Sequence, residues 1–250
     1  MPPIPTGLAS PAGYAIAITV TVSGTLLAVA WMGWDVAKGR LPLSFPPLFL
    51  VSALLCPFAD PGGSVTANFQ YFLSADSTVL ATTFGRPIGF LQISTWTCWM
   101  GLYGYAAIYT LRRKWSPLRL WALYAACVIL NTAAQWLWLN YASLFTYYGS
   151  QPFRILGVPF VWPFLTVGAV MVAGVAAWFV HSQTTGYRKL FVLPTASVAF
   201  MACYAATAWP TTFALGTELP ILWSSLLGMM SLLLVFGVLD LLFRRYPTPR

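Results

Sequence analysis

The sequence predicts an all-α integral membrane bundle of seven transmembrane helices, with its N-terminus outside and its C-terminus in the cytoplasm. Three observations carry that expectation. Hydrophobic residues make up 59% of the 250-residue chain and charged residues only 7%. Seven uncharged runs are each long enough to cross a hydrocarbon core of roughly 30 Å at about 1.5 Å per residue. Eleven of the 13 Lys and Arg residues fall on every second connection between those runs or in the C-terminal tail on the same side. Lipid offers the backbone no hydrogen-bond partners, so each run is expected to be helical; a barrel would need shorter strands alternating with a period of two.

The first run, 12–34, lacks a basic leader and is too long for the apolar core of a cleaved signal peptide. It is followed by Lys38 and Arg40. The second, 41–59, ends at Asp60-Pro61. The third, 87–111, is rich in aromatic residues (Trp96, Trp99, Tyr103, Tyr105, Tyr109) and closes on Arg112, Arg113, Lys114 and Arg119. The fourth spans 120–141, and the fifth, 158–180, precedes His181, Arg188 and Lys189. The sixth, 190–209, carries Tyr204 and Trp209, and the seventh, 219–239, leads to Arg244, Arg245 and Arg250. The remaining connections hold only Arg86 and Arg154, so the positive-inside rule sets the orientation. The chain, 1–250, reads as a single domain, without internal repeats or linkers.

The net charge of +8 is divided among short juxtamembrane segments, where it anchors topology and attracts anionic lipid; no nucleic-acid partner is expected. Cys56, Cys98, Cys127 and Cys203 stand singly in different runs and read as buried small residues. With one histidine in the chain, no transition-metal site and no cofactor are expected. The longest connections, 60–86 and 142–157, both belong to the outer side, and Phe69, Tyr71 and Phe72 in the first suggest an interfacial or re-entrant cap.

Only five acids exist. Asp35 and Asp240 border basic segments and are expected to pair with Lys38 and Arg244; Asp76 sits in a polar loop and reads as solvated. Asp60 and Glu218 lie at the outer ends of runs, each near a proline, where partial desolvation keeps a carboxyl protonated and ready to donate. Helix capping or an ion pair with Arg86 or Arg154 is the competing reading, and it suits Glu218 well because Thr217 and Glu218 precede a helix start. Asn131, Gln135 and Trp138 follow i, i+4, i+7 spacing and share one face of the fourth helix. Two amides at bilayer depth either cross-link helices or line a cavity. Aromatic side chains stabilise developing cations, so a Trp- and Tyr-lined pocket with one protonated carboxyl suits cyclisation of apolar substrates.

Three stretches carry a family resemblance over residues 45–190. They are Phe58-Ala59-Asp60-Pro61, the Pro87-led run closing on Arg112-Arg113-Lys114-Trp115-Ser116-Pro117, and the fourth run continuing through Gln135 to Tyr147-Tyr148-Gly149. They resemble the actinobacterial membrane family named after the spiroketal cyclase of avermectin biosynthesis. The resemblance implies a multi-span enzyme that dehydrates and cyclises hydroxylated ketone precursors. Acidic residues in that family stand where this chain has Arg86, Asn131, Gln135 and Trp162, leaving Asp60 alone. In length, span count and orientation the chain also resembles the integral-membrane terpene cyclases of meroterpenoid pathways. Those place acids in the second span and deep in the seventh; here Glu218 and Asp240 sit at opposite ends of the seventh.

The functional expectation is a metal-independent membrane cyclase or dehydratase, of lyase or isomerase type, acting on a lipophilic secondary metabolite. Asp60 and Glu218 are its candidate acids, and Asn131, Gln135, Trp138, Tyr147, Tyr148, Arg86 and Arg154 its substrate-binding residues. The alternative is a non-catalytic membrane subunit or lipophile-binding protein held together by the same amides.

Overall fold

The structure is a computed structural model describing residues 3–75 and 77–245. Asp76 and Arg250 lie outside the described residues, as do the side chains of Pro61 and Arg245. Five helices are long and apolar enough to cross a membrane, which makes the chain a multi-pass membrane protein. These are α1 (Pro11–Ala37), α6 (Pro117–Asn140), α7 (Val161–Gln183), α8 (Val192–Gly216, entered through a 3-10 turn at Gly186–Phe191) and α9 (Ile221–Arg245).

The second and third apolar runs take less regular forms. α2 (Phe45–Leu55) continues as a single 3-10 turn, Cys56–Phe58, and then breaks before the seven-residue α3 (Asp60–Thr66). α4 (Phe90–Trp99) passes through a π-helical turn, Met100–Gly104, into α5 (Tyr105–Arg112). A π turn holds one residue more than an α turn and rotates the face that follows it. Here it brings Gly104 against Gly174 of α7, where a Cβ on Gly174 would lie 2.5 Å from the Gly104 carbonyl oxygen. Only glycine permits that approach.

Proline in the first turn starts α1, α2 and α6, where its missing N–H costs no helical bond. α7 is buried around most of its circumference and packs against α8, α9, α6, α5 and α2, so it forms the axis of the bundle. The sixth helix runs seven residues past its expected end at Trp209, because Pro210 is accommodated within α8.

The two long connections are not simple loops. β1 (Phe69–Tyr71) pairs antiparallel with β4 (Phe145–Tyr147) in the register Phe69 to Tyr147, joining the connections 60–86 and 142–157 into one cap. β2 (Val79–Thr83) and β3 (Arg86–Gly89) form a hairpin whose turn residues, Phe84 and Gly85, have φ of 51° and 69°. The same two-residue turn recurs between β5 (Arg154–Ile155) and β6 (Val158–Pro159), at Leu156 and Gly157 with φ of 51° and 88°. Positive φ at both central residues matches the right-handed twist of the flanking strands.

The N-terminus of α1 meets this cap through backbone bonds from Ala9 to Leu73 and from Ser10 to Ala142. At the opposite end Arg112 donates to the Arg40 carbonyl, Lys189 to Ser44, and His181 and Ser44 share a hydrogen bond of 3.0 Å. All four cysteines are buried and unbonded to one another. Asp240 pairs with Arg244 at 2.7 Å, as expected. Asp35 does not pair with Lys38, whose ammonium instead sits 4.7 Å over the Trp34 ring; its partners are Arg40 at 3.5 Å and the Tyr105 hydroxyl at 2.6 Å.

Candidate functional site

Asp60 owes its position to the break after Phe58. The chain turns there, and the carboxyl opens α3 beneath the β1–β4 cap, just beyond the end of α2. It contributes to the walls of two hollows. The larger, of ≈ 50 Å³, is lined from α3, β1, α4, α6, β4, α7 and α8, chiefly by Trp96, Trp99, Trp138, Trp162, Tyr147 and Tyr204. The aromatic rings form a continuous surface. Trp96 meets Phe200 at 4.6 Å and Trp99 at 5.6 Å, Trp99 stacks on Trp138 at 6.3 Å, and Trp162 stacks on Tyr204 at 6.0 Å. Phe69 closes the top, 4.9 Å from Tyr147.

The smaller hollow, ≈ 10 Å³, is lined by Asp60, Ser64, Gln70, Arg86 and Gln92 among others, about the room of one water molecule. Arg86 Nη2 donates to the Tyr148 hydroxyl at 2.7 Å, Gln70 Nε2 to the Tyr71 carbonyl at 2.8 Å, and Gln92 Oε1 accepts from the Gly89 N–H at 2.9 Å. The other ends of the same side chains, Arg86 Nη1, Gln70 Oε1 and Gln92 Nε2, are buried without a protein partner. Buried polar groups are rarely left so, and three around one hollow match the two donors and one acceptor that a water bridges.

No cation comes within ion-pairing distance of Asp60 among the described residues. Arg154, exposed, spends its guanidinium on the Tyr147 carbonyl at 2.7 Å. The carboxyl retains only Ser64, at 3.5 Å, and the Trp96 indole N–H, which lies nearby without closing a hydrogen bond of standard geometry. Burial pushes Asp60 up to about 7, although Trp96 and Ser64 both pull the other way. Desolvation thus wins over two donors and over the helix N-terminus, each of which favours the charged form. Burial raises the Tyr71 and Tyr147 phenols as well, with the Asp60 charge adding to it, so both stay neutral donors.

Of the residues singled out by sequence, Asp60, Gln135, Trp138 and Tyr147 come together around the larger hollow. Asn131 does not reach it. Fully buried, it sits one turn behind Gln135 and accepts from Gln135 Nε2 at 2.7 Å, while Gln135 Oε1 accepts from the Tyr147 hydroxyl at 2.8 Å. The two amides therefore hold the Tyr147 ring against the wall, and each end of the Gln135 amide already has one partner. Tyr148 turns to Arg86 and lines neither hollow. Glu218 is exposed in the α8–α9 turn with φ of 53° and is not among the residues lining either hollow; Thr217 caps the end of α8 instead of opening α9.

Sequence reasoning does not assign Trp96, Trp99 and Tyr204 to a site, and it does not single out Gln70 or Gln92. It notices Trp162 only as a substitution; its indole N–H donates to Gln151 Oε1 at 2.8 Å, and Gln151 in turn holds the Ala67 carbonyl at 2.8 Å. That link ties α7 to the end of α3. Comparison with protein-family models, with curated proteins and with solved structures finds no match for this chain.

Proposed function

We propose that the chain is a membrane-embedded acid catalyst, a cyclase or dehydratase of a lipophilic secondary metabolite that arrives through the bilayer. The single observation that carries this reading is a carboxyl poised near neutral pH, without a cation partner, in the wall of an aromatic hollow. Asp60 gives its proton to a hydroxyl or carbonyl oxygen, or to an alkene carbon. Where a hydroxyl is protonated, its C–O bond breaks and water leaves; ring closure on the resulting cation is followed by loss of a proton to the Asp60 carboxylate. The catalyst is thereby restored. Trp96, Trp99, Trp138 and Trp162 present the π faces that such a cation needs.

In this reading the chain has seven spans, 45–58 and 90–112 completing the five long helices, with the cap outside and the Arg-rich end in the cytoplasm. The cap connections carry two basic residues and the opposite connections the remainder, which supports that orientation. The resemblance around Phe58-Ala59-Asp60-Pro61 suggests a polyketide-type precursor and the architecture a terpenoid one. Drug-sized ligands fill about 300–1,000 Å³, so a substrate must part the wall of the hollow.

A second reading rests on the Asn131–Gln135–Tyr147 network, which spends its polar groups on tying α6 to β4, as a non-catalytic subunit or lipophile-binding protein would. The two separate on one experiment. Membranes bearing the wild-type chain, supplied with hydroxylated ketone or polyprenyl precursors and followed by mass spectrometry, should yield cyclised or dehydrated product. Asp60→Asn should lower turnover by about 10²–10⁴-fold while the detergent-extracted protein keeps its helicity. Undiminished turnover in that variant would refute the role of Asp60; no product from the wild type with any precursor favours the subunit.

A further inference from the structure

At the end of the bundle away from Asp60, the α1–α2 connection and the end of α5 enclose a third hollow, of ≈ 310 Å³. It is lined by Asp35, Gly39, Arg40, Tyr109, Arg112 and Arg113. Three guanidinium groups and one carboxylate face it. The carboxylate is already engaged: Asp35 is 2% exposed, accepts from the Tyr105 hydroxyl at 2.6 Å and pairs with Arg40 Nη1 at 3.5 Å. An excess of two positive charges therefore remains on the wall.

Those charges are held in place. The Arg112 guanidinium lies 4.4 Å over the Trp178 ring and donates to the Arg40 carbonyl, while that of Arg113 lies 4.8 Å over Tyr109. Stacking fixes the planes and leaves most N–H donors unspent, since each guanidinium has five. Neither Arg112 nor Arg113 has a carboxylate within ion-pairing distance among the described residues. A left-handed residue, Gly39 with φ of 66°, turns the chain so that Arg40 faces α5, and its own Cα borders open space.

We infer that this hollow binds a phosphate group, carried by a lipid headgroup or free in solution. Multiply donating cations set over aromatic rings in an open concavity at the end of apolar helices match the tetrahedral oxygens of a phosphate ester. The inference does not depend on the activity proposed for Asp60, which lies at the other end of the bundle.

The test uses the purified full-length protein in phosphatidylcholine nanodiscs doped with phosphatidylglycerol, with retained lipid read by native mass spectrometry and Trp178 fluorescence. Wild-type protein should retain phosphatidylglycerol in preference to phosphatidylcholine. Arg113→Gln, which leaves the Trp178 contact intact, and Arg112→Gln should each weaken retention about tenfold. Competition by inorganic phosphate assigns the site to free phosphate, and its failure assigns it to the headgroup. Lys114→Gln, next in sequence but outside the hollow, should change nothing. Equal retention of both lipids without phosphate binding, wild-type retention in Arg113→Gln, or an equal loss in Lys114→Gln would each overturn the site.

Discussion

Asp35 and Asp60 are the same residue at opposite ends of one bundle, and their neighbours make them different groups. Asp35 is almost fully enclosed yet receives a short hydrogen bond from Tyr105 and the charge of Arg40. Asp60 keeps some surface open to its hollow yet has no cation beside it among the described residues, only Ser64 and an imperfectly placed indole. Enclosure alone does not make an acid reactive; enclosure without compensation does. The first carboxylate ties a tyrosine and an arginine into the architecture, whereas the second holds its proton near neutral pH.

The largest expected effect that would sharpen this contrast is on stability against pH. The Asp60 proton affinity in the folded chain is raised from an ordinary 3.8 to about 7, so between these limits the native state keeps a proton that the unfolded state has lost. Stability therefore falls as pH rises from about 4 to 7, by up to about 4 kcal/mol at about 1.36 kcal/mol per unit, and levels off above. Asp60→Asn should flatten this segment of the curve, measured by denaturant unfolding in detergent; parallel curves for the two proteins would break the comparison.

The reverse behaviour is expected at the other end. Asp35→Ala leaves the Tyr105 hydroxyl buried without its acceptor and should cost about 2 kcal/mol, with Arg40 adding little because it is half-exposed. Its product profile should match the wild type. A loss of turnover at unchanged stability would mean that the roles of the two aspartates have been exchanged. The smallest effect is expected at Gln92→Leu, which removes one unpartnered donor from the wall beside Asp60. Stability should fall by about 1 kcal/mol, because the buried Gly89 N–H loses its Gln92 acceptor, while the titration midpoint of the Asp60 carboxyl, followed by its infrared C=O band, should shift. An unmoved midpoint would show that the smaller hollow is electrostatically idle.

Much of this was legible in the chain. Apolar runs and proline starts located the helices because length and hydropathy are local properties, and α1 and α6 depart from expectation by only a few residues at either end. The ends of α2 and α8 were harder. Pro57 does end the regular part of one helix, while Pro210 sits inside another, and which outcome a proline takes depends on whether neighbouring helices support the freed carbonyl. The strand pairs in the cap were invisible, since strands of two to five residues have too little periodicity to detect; only Leu156-Gly157 and Phe84-Gly85 could have hinted at tight hairpins.

For the site, scarcity made Asp60 readable: with five acids in the chain, each could be weighed by its neighbours. The i, i+4 amides were also found, but their purpose was not, because which partner an amide selects is decided across the bundle. Gln135 turns to Tyr147, a contact that no spacing rule contains, whereas its bond to Asn131 is the i, i+4 pair that the spacing offers. The aromatic wall escaped for a related reason. In a chain where apolar residues cover every face, the side of a helix that meets a cavity carries the same letters as the side that meets lipid.

The β1–β4 ladder and the rings above it have a consequence for biogenesis. The enclosure around Asp60 is recruited from residues as late as Phe200 and Tyr204, long after the aspartate itself has left the ribosome. A nascent chain that has not yet delivered α8 into the bilayer carries Asp60 without the two rings that help to dehydrate it. The enclosure of Asp60 is thus complete only once α8 has docked.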